Sequence, residues 1–96
     1  MPKAYWIAHV DVTDEEHYPE YVKASAPMHE KYGSRFLVRG GQHSPEEGEI
    51  RSRHVVVEFK DYETAVAAYN SEEYQAAKAL RNRYADSEFL IVEGVE

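Results

Sequence analysis

Cysteine is absent from this 96-residue chain, which removes disulfides, thiolate nucleophiles and cysteine-ligated metals together. Positive charge is scarce as well. The 11 lysines and arginines stand against 18 aspartates and glutamates, a net charge of -7, whereas nucleic-acid binding draws most of its affinity from cations laid on phosphates. Nucleic acid is therefore not expected as a partner. The string Arg39-Gly40-Gly41 is a single copy between strand-like segments, unlike the RGG elements that recur in disordered tracts. Apolar runs such as Val55-Val56-Val57 fall far short of the ~20 residues that span a bilayer, so no membrane partner is expected. Met1-Pro2-Lys3 opens without the apolar h-region of a secretory signal, which reads as a mature, cytoplasmic chain. Repeats, low-complexity tracts and linkers are lacking too. With 43% hydrophobic and 30% charged residues the composition is that of an ordinary globular protein, and residues 1–96 are expected to form one domain around one core.

The patterning that is present gives an order of elements. Residues 4–12 alternate, with Trp6, Ala8, Val10 and Val12 on one face and Tyr5, Ile7, His9 and Asp11 on the other, the mark of a strand. Thr13 followed by Glu16 matches a capping box and predicts that a helix starts there. Tyr18, Tyr21, Val22, Ser25, Met28 and Tyr32 then recur at helical spacing down to Gly33, a natural left-handed stop. Pro19 and Pro27 each remove a hydrogen bond and predict a bend or break, with a kink near Pro27. Residues 34–41 alternate again, Phe36 and Val38 opposed to Arg35, Leu37 and Arg39, and the acidic stretch 45–49 leads as a solvated loop into a third strand, 53–59. Asp61 caps one short helix and Ser71 another, the second carrying Tyr74, Ala77, Leu80 and Tyr84 on its apolar stripe. The run Glu88–Glu93 suits a last strand buried on both faces.

The resulting βαββαβ order, with right-handed crossovers, predicts a ferredoxin-like α+β fold: a four-stranded antiparallel sheet in order 4-1-3-2 with every helix on one face. The helix-covered side is expected to take Trp6, Ala8, Val10, Val12, Phe36, Val38, Val55, Val57 and Phe59. Ile7, Leu37, Val56 and one of Leu90 and Ile91 are left on the bare face. Each such side chain is worth about 1.5 to 3 kcal/mol when fully buried, so four approach the ~10 kcal/mol of a whole domain's stability. A second copy of the chain, stacked face to face, is the expected cover. The same face also carries His9, Asp11, Arg39, His54 and Glu58, too many ionisable groups for a dry interface, which predicts a polar cavity between the two sheets.

Several strings, in this order and spacing, resemble the domain-of-unknown-function family 1330 of the dimeric α+β barrel superfamily. They are Thr13-Asp14 with Tyr18 and Tyr21, Tyr32-Gly33, Arg35-Phe36-Leu37-Val38-Arg39-Gly40-Gly41, Val57-Glu58-Phe59, Ser71-Glu72-Glu73-Tyr74-Gln75, Leu80-Arg81 and Val92-Glu93-Gly94. The resemblance covers nearly the whole chain, and Pro19 departs from it. It implies a ferredoxin-like fold and a face-to-face homodimer, and carries no established reaction. Superfamily relatives include cofactor-independent monooxygenases, haem-degrading enzymes, lactone isomerases and small stress-response dimers, among which the fold alone does not choose.

Two readings of the candidate site follow. In the first, the chain is an enzyme acting on a small organic molecule by proton transfer, isomerisation or cofactor-free oxygenation. His54 and His9 serve there as general acid or base and Arg39 as a clamp for an oxyanion, in a cavity lined by Asp11, Glu58, Leu37, Val56 and Ile7. In the second, it is a non-catalytic ligand-binding or stress-response module whose ionisable groups satisfy one another across the interface, Arg39 neutralising Glu58 or Asp11. The helical tyrosines read as packing residues. Five histidines, His9, His17, His29, His43 and His54, include no i, i+4 pair and no ligand motif, so neither a metal nor another cofactor is expected. By analogy with haem-handling relatives His29 is a candidate ligand, and its place on the first helix is equally that of an exposed side chain.

Overall fold

The structure, a computed structural model, describes residues 2–95. Seven elements follow in the order β1 Ala4–Val12, α1 Tyr18–Tyr32, β2 Arg35–Arg39, β3 Arg53–Phe59, α2 Tyr62–Asn70, α3 Glu72–Tyr84 and β4 Ala85–Glu93. The strands form one antiparallel sheet ordered β2-β3-β1-β4, which read from the other edge is 4-1-3-2, the ferredoxin-like α+β fold. Alternation along β1 does what its sequence period requires: Ala4, Trp6, Ala8 and Val10 are buried, while Tyr5, Ile7 and His9 between them are half-buried. The core packs Trp6, Phe59, Met28, Tyr74 and Val57 against Ala65, Ala68 and Ala77 of the helices. The Trp6 indole N–H donates to the Ala65 carbonyl at 2.9 Å, so the largest core residue leaves no polar atom unpaired.

Caps set most helix ends. The Asp61 carboxylate accepts from the Thr64 amide at 2.8 Å and the Ser71 hydroxyl from the Tyr74 amide at 3.2 Å, as expected at both starts. Gly33 closes α1 with φ 65°, a backbone state open to glycine at little cost. The start of α1 differs from expectation. A capping box at Thr13 needs a free amide there, but the Thr13 and Asp14 amides both donate to the Tyr84 carbonyl, at 2.8 and 3.1 Å. The helix instead begins at Tyr18, after a turn in which the Asp14 carboxylate accepts from the His17 amide at 3.1 Å and pairs with its ring at 2.8 Å. Pro19 thereby falls in the first turn, where no amide is required. Pro27 lies inside α1 without breaking it. Lys23, whose carbonyl loses that amide as a partner, is an exposed residue.

The consequential departure is in β2. Phe36 pairs with Val57, but the next partner of β3, Val56, faces Val38, and Val55 faces Arg39. Leu37 is the extra residue of a β-bulge, and one inserted residue exchanges the faces of everything beyond it. Val38, expected under the helices, therefore shares the open face with Val56. Arg39, expected on the open face beside His54, lies on the helix side. The bare face of the sheet displays Ile7, Val56, Val38, Leu90 and Val92, the last two 47% and 40% exposed. Of the Leu90/Ile91 pair it is Leu90 that faces out. Within one chain β4 is thus covered on one face only.

Candidate functional site

Two places concentrate chemistry, one on each side of the sheet. On the open face, β1 and β3 bring His9 directly opposite His54, and their Nδ1 atoms lie 2.8 Å apart. His43, from the loop after β2, sets its ring edge-on to that of His54 at 4.6 Å. Burial, followed by the neighbouring His43 and His9, pushes the His54 imidazole below its ordinary pKa. Its Nε2 is enclosed without a hydrogen-bond partner among the described residues, although the residue as a whole is only half-buried.

The carboxylates expected to line the same cavity are engaged by other partners. Asp11 accepts from the Ser52 amide at 2.8 Å and from Arg51 at 2.9 Å, and Arg51 grips Glu88 through two bonds of 2.7 Å. The Ser52 amide, more than the guanidinium, holds the Asp11 carboxyl below its usual range. Glu58 pairs with Lys3 at 3.3 Å and stands four residues along β3 from His54, roughly 13 Å at ordinary strand rise. Ile7 and Val56 lie between, directly paired, and Leu37 at the bulge is exposed. The open face therefore unites His9 with His54, adds His43, keeps Asp11 near them though tied to Ser52 and Arg51, and separates the pair from Glu58 and Arg39. Among the described residues no group of three metal-ligating side chains converges.

Between sheet and helices lies a small cavity of about 40 Å³, partly open to solvent. Trp6, Val55, Val57, Phe36 and Phe89 give it an apolar, largely aromatic wall. Into this wall the fold sets His29, Tyr18 and Tyr21 from α1 and three guanidiniums: Arg39, Arg53 and Arg81.

His29 is half-buried rather than exposed, and its ring packs against Phe36 at 4.7 Å and Trp6 at 5.8 Å. Burial, with Arg39 adding its charge, lowers its pKa to about 4, so the ring is neutral at neutral pH. Its Nδ1 meets the Ser34 hydroxyl at 2.6 Å, while that hydroxyl donates to the His29 carbonyl at 3.5 Å. In the tautomer in which the Ser34 oxygen accepts a hydrogen bond from Nδ1–H, the free lone pair belongs to Nε2.

Arg81 is only 4% exposed. Its Nη1 donates to the Tyr74 hydroxyl at 2.5 Å, and that hydroxyl lies 2.9 Å from the hydroxyl of Tyr21. Burial pushes the Tyr74 phenol well up, so Tyr74 keeps its proton. In the arrangement in which Tyr74, accepting from Arg81, donates its hydrogen bond to the Tyr21 oxygen, the Tyr21 hydroxyl hydrogen is free to turn toward the cavity. The Nε of Arg81 and the Nε of Arg53 are both buried without partners among the described residues. A cation–π contact places the Arg81 guanidinium 5.0 Å from the Phe89 ring, worth about 0.5 to 2 kcal/mol. Further contacts of the same kind lie over Tyr74 and Tyr21 at 5.9 and 6.0 Å; burying an ion costs several kcal/mol even after relaxation, and no carboxylate among the described residues pairs with this one.

Sequence reasoning passed over this pocket. The signal was present in α3, where Arg81 continues the buried spacing of Tyr74, Ala77 and Tyr84, a charge on an apolar stripe. Leu80, only half-buried, is the neighbour that hydrophobicity alone selects.

The comparisons with known proteins agree with the fold. A protein of unknown function from Rhodopseudomonas palustris superposes with a TM-score of 0.72 at 16% identity, over 99% of this chain and 84% of its own. The cofactor-independent oxygenase SnoaB from Streptomyces nogalater gives 0.66 at 8% identity, over 100% and 96%. An ethyl tert-butyl ether D family protein from Bacillus halodurans gives 0.61 at 18% identity, over 99% and 100%. At such identities the likeness establishes the fold alone. No curated protein matches the chain. The model of the family described as "Domain of unknown function (DUF1330)" matches residues 3–95, and on that near-complete match the chain belongs to the DUF1330 family.

Proposed function

We propose that this chain is a homodimeric enzyme that acts on a compact organic molecule by proton transfer, and that its reaction takes place between helices and sheet rather than between two sheets. The observation that carries the reading is the buried relay from Arg81 through Tyr74 to Tyr21, which ends on the wall of an otherwise aromatic pocket. A purely structural site of this kind is better filled by an apolar side chain. A relay that ends in a free phenolic proton instead donates to an oxygen on which charge develops, and it is in place before the reaction starts. His29 offers the opposite function, a bare nitrogen beside the same space. Proton loss from carbon gives an enolate, the species common to isomerisation and to cofactor-free oxygenation. The likeness in fold to SnoaB, a cofactor-independent oxygenase, supports including the second.

In this reading the open face is the dimer interface. Ile7, Val56, Val38, Leu90 and Val92 supply its apolar area, and the His9–His54 pair belongs to that interface instead of to catalysis. One observation favours a second reading, binding without turnover: with its pKa lowered to about 4, His29 is a weak base. Deuterium wash-in separates the two. Neutral aryl ketones with an acidic α-hydrogen, such as phenylacetone, are incubated with the protein in D₂O and followed by NMR. The enzymatic reading expects exchange about 100-fold above buffer, falling at least about tenfold in Tyr21→Phe. No protein-dependent exchange from any of the ketones removes it and leaves the binding module.

A further inference from the structure

From the arginines of the helix-side pocket we infer that its ligand is an organic anion: an aromatic or similarly flat molecule bearing a permanent carboxylate, held by Arg81, Arg53 and Arg39. The inference deepens the proposed function by naming the substrate class, and rests on that reading only for the choice of pocket.

Charge distribution is the first ground. The chain as a whole carries -7, and the cations that pair with carboxylates, Lys3, Lys31 and Arg51, do so elsewhere, with Glu58, Glu73, Asp11 and Glu88. Arg39, Arg53 and Arg81 line one cavity whose wall contains no aspartate or glutamate, and no carboxylate among the described residues lies within salt-bridge distance of them. Tyr18 and Tyr74 bring no compensating negative charge, because burial pushes both phenols upward. Three guanidiniums with no carboxylate beside them favour a ligand that arrives already negative.

Donor accounting is the second. Arg81 is nine-tenths buried and more, yet its Nε has no partner among the described residues, and the Nε atom of the half-buried Arg53 is likewise enclosed and unpartnered among them. A guanidinium offers five N–H donors in a planar fork that fits the two oxygens of a carboxylate. The three side chains are graded in exposure, Arg39 exposed, Arg53 half-buried and Arg81 buried, a positive track from rim to interior that draws an anion inward past an acidic surface. Gly40 keeps the track open. Its φ is 68°, and a side chain there would strike the Arg53 guanidinium. The rest of the wall, Trp6, Phe36 and Phe89, suits a flat apolar body. Phosphate, by contrast, would leave that wall unused.

The only tryptophan of the chain, Trp6, lines the pocket, so its fluorescence reports occupancy directly. Benzoate, 4-hydroxybenzoate and 1-naphthoate are titrated against their primary amides and against inorganic phosphate, with calorimetry as a second readout. The expected result is that at least one acid binds about tenfold or more tighter than its amide, a preference that weakens with salt. It is lost in Arg81→Met and reduced in Arg53→Met, with circular dichroism confirming that both variants fold. If Arg81→Met does not fold, Arg53→Met and the salt dependence of the unaltered protein carry the test. Amides binding as tightly as acids, no acid binding at all, phosphate outcompeting the acids, or an acid preference that survives loss of both arginines would overturn the inference. Because deuterium exchange is measured on neutral ketones, its failure leaves the acid-over-amide comparison standing, and the reverse holds equally.

Discussion

His9 and His54 face each other across β1 and β3 with their Nδ1 atoms 2.8 Å apart. A hydrogen bond between two ring nitrogens needs one protonated and one bare, so the pair survives only while at least one imidazole is neutral. The groups around it are His43, which approaches the His54 ring, Glu88, directly opposite His9 on β4, and Asp11, both of them bound to Arg51. His54 lies below its ordinary pKa, chiefly through burial. Its neutral form is therefore the one the structure favours, and acidification through and below about 6.5 works against the contact. In the proposed dimer this end of the interface then accumulates positive charge from both copies. Sedimentation equilibrium at pH 8 and pH 5.5 is expected to show weaker association at the lower value. His54→Ala should weaken association at both, and an unchanged dimer in every case would detach the histidines from the interface.

The apolar middle of the same face gives a sharper prediction. Ile7 pairs with both Val56 and Leu90, so Ile7→Asp places a carboxylate at the centre of the patch. Two copies per dimer each lose an apolar side chain worth about 1.5 to 3 kcal/mol and gain a charge to desolvate. The variant is expected to sediment as a monomer at concentrations where the unaltered chain is a dimer, with its circular dichroism retained. A dimer that persists would mean that the chain associates through another surface.

How far the sequence alone carries is seen by following single residues. Trp6, Val57 and Phe59 sit where period-two alternation puts them, because a regular strand has one way to face a core. Asp61 and Ser71 cap where their side chains predict, since an N-cap needs only the local backbone. The Thr13 box failed on a long-range fact, the capture of its amide by the Tyr84 carbonyl. Arg39 and Val38 were assigned to the wrong faces because alternation cannot see a bulge, and one residue at Leu37 moved the guanidinium from the open face of the sheet to the helix side. The pairing of His9 with His54 followed from strands one and three being neighbours. The pocket itself, drawn from β1, α1, β2, β3, α3 and β4, has no local signature except a charged residue at a buried helix position.

Gly40 ties the bulge to that pocket. It follows Arg39 directly, donates its amide to the His54 carbonyl at 2.9 Å and holds a left-handed backbone against the Arg53 guanidinium. Gly40→Ala must both adopt a conformation that costs an L-residue about 1 to 2 kcal/mol and displace Arg53. Chemical denaturation is expected to show a loss of about that size. The test of the second effect is affinity: binding of an aromatic acid should fall in Gly40→Ala even under conditions where the variant is fully folded. A loss of stability with affinity intact would mean that Arg53 finds the same position around the new methyl group.

His29 makes stability depend on pH in a predictable direction. Its pKa is about 4 in the folded chain and about 6.5 when unfolded, so between these values the unfolded state binds more protons and folding weakens as pH falls. The stabilisation is complete above about 6.5 and is lost progressively toward 4, amounting to about 1 to 2 kcal/mol once the partly exposed ring is discounted for solvent. His54, also shifted downward, adds in the same sense. Replacing His29 by Gln retains a polar side chain that does not titrate. Urea denaturation at pH 7 and pH 5 should then show a smaller loss of stability for His29→Gln than for the unaltered chain. Identical losses would place the titrating group elsewhere and return His29 to the solvent side of its helix.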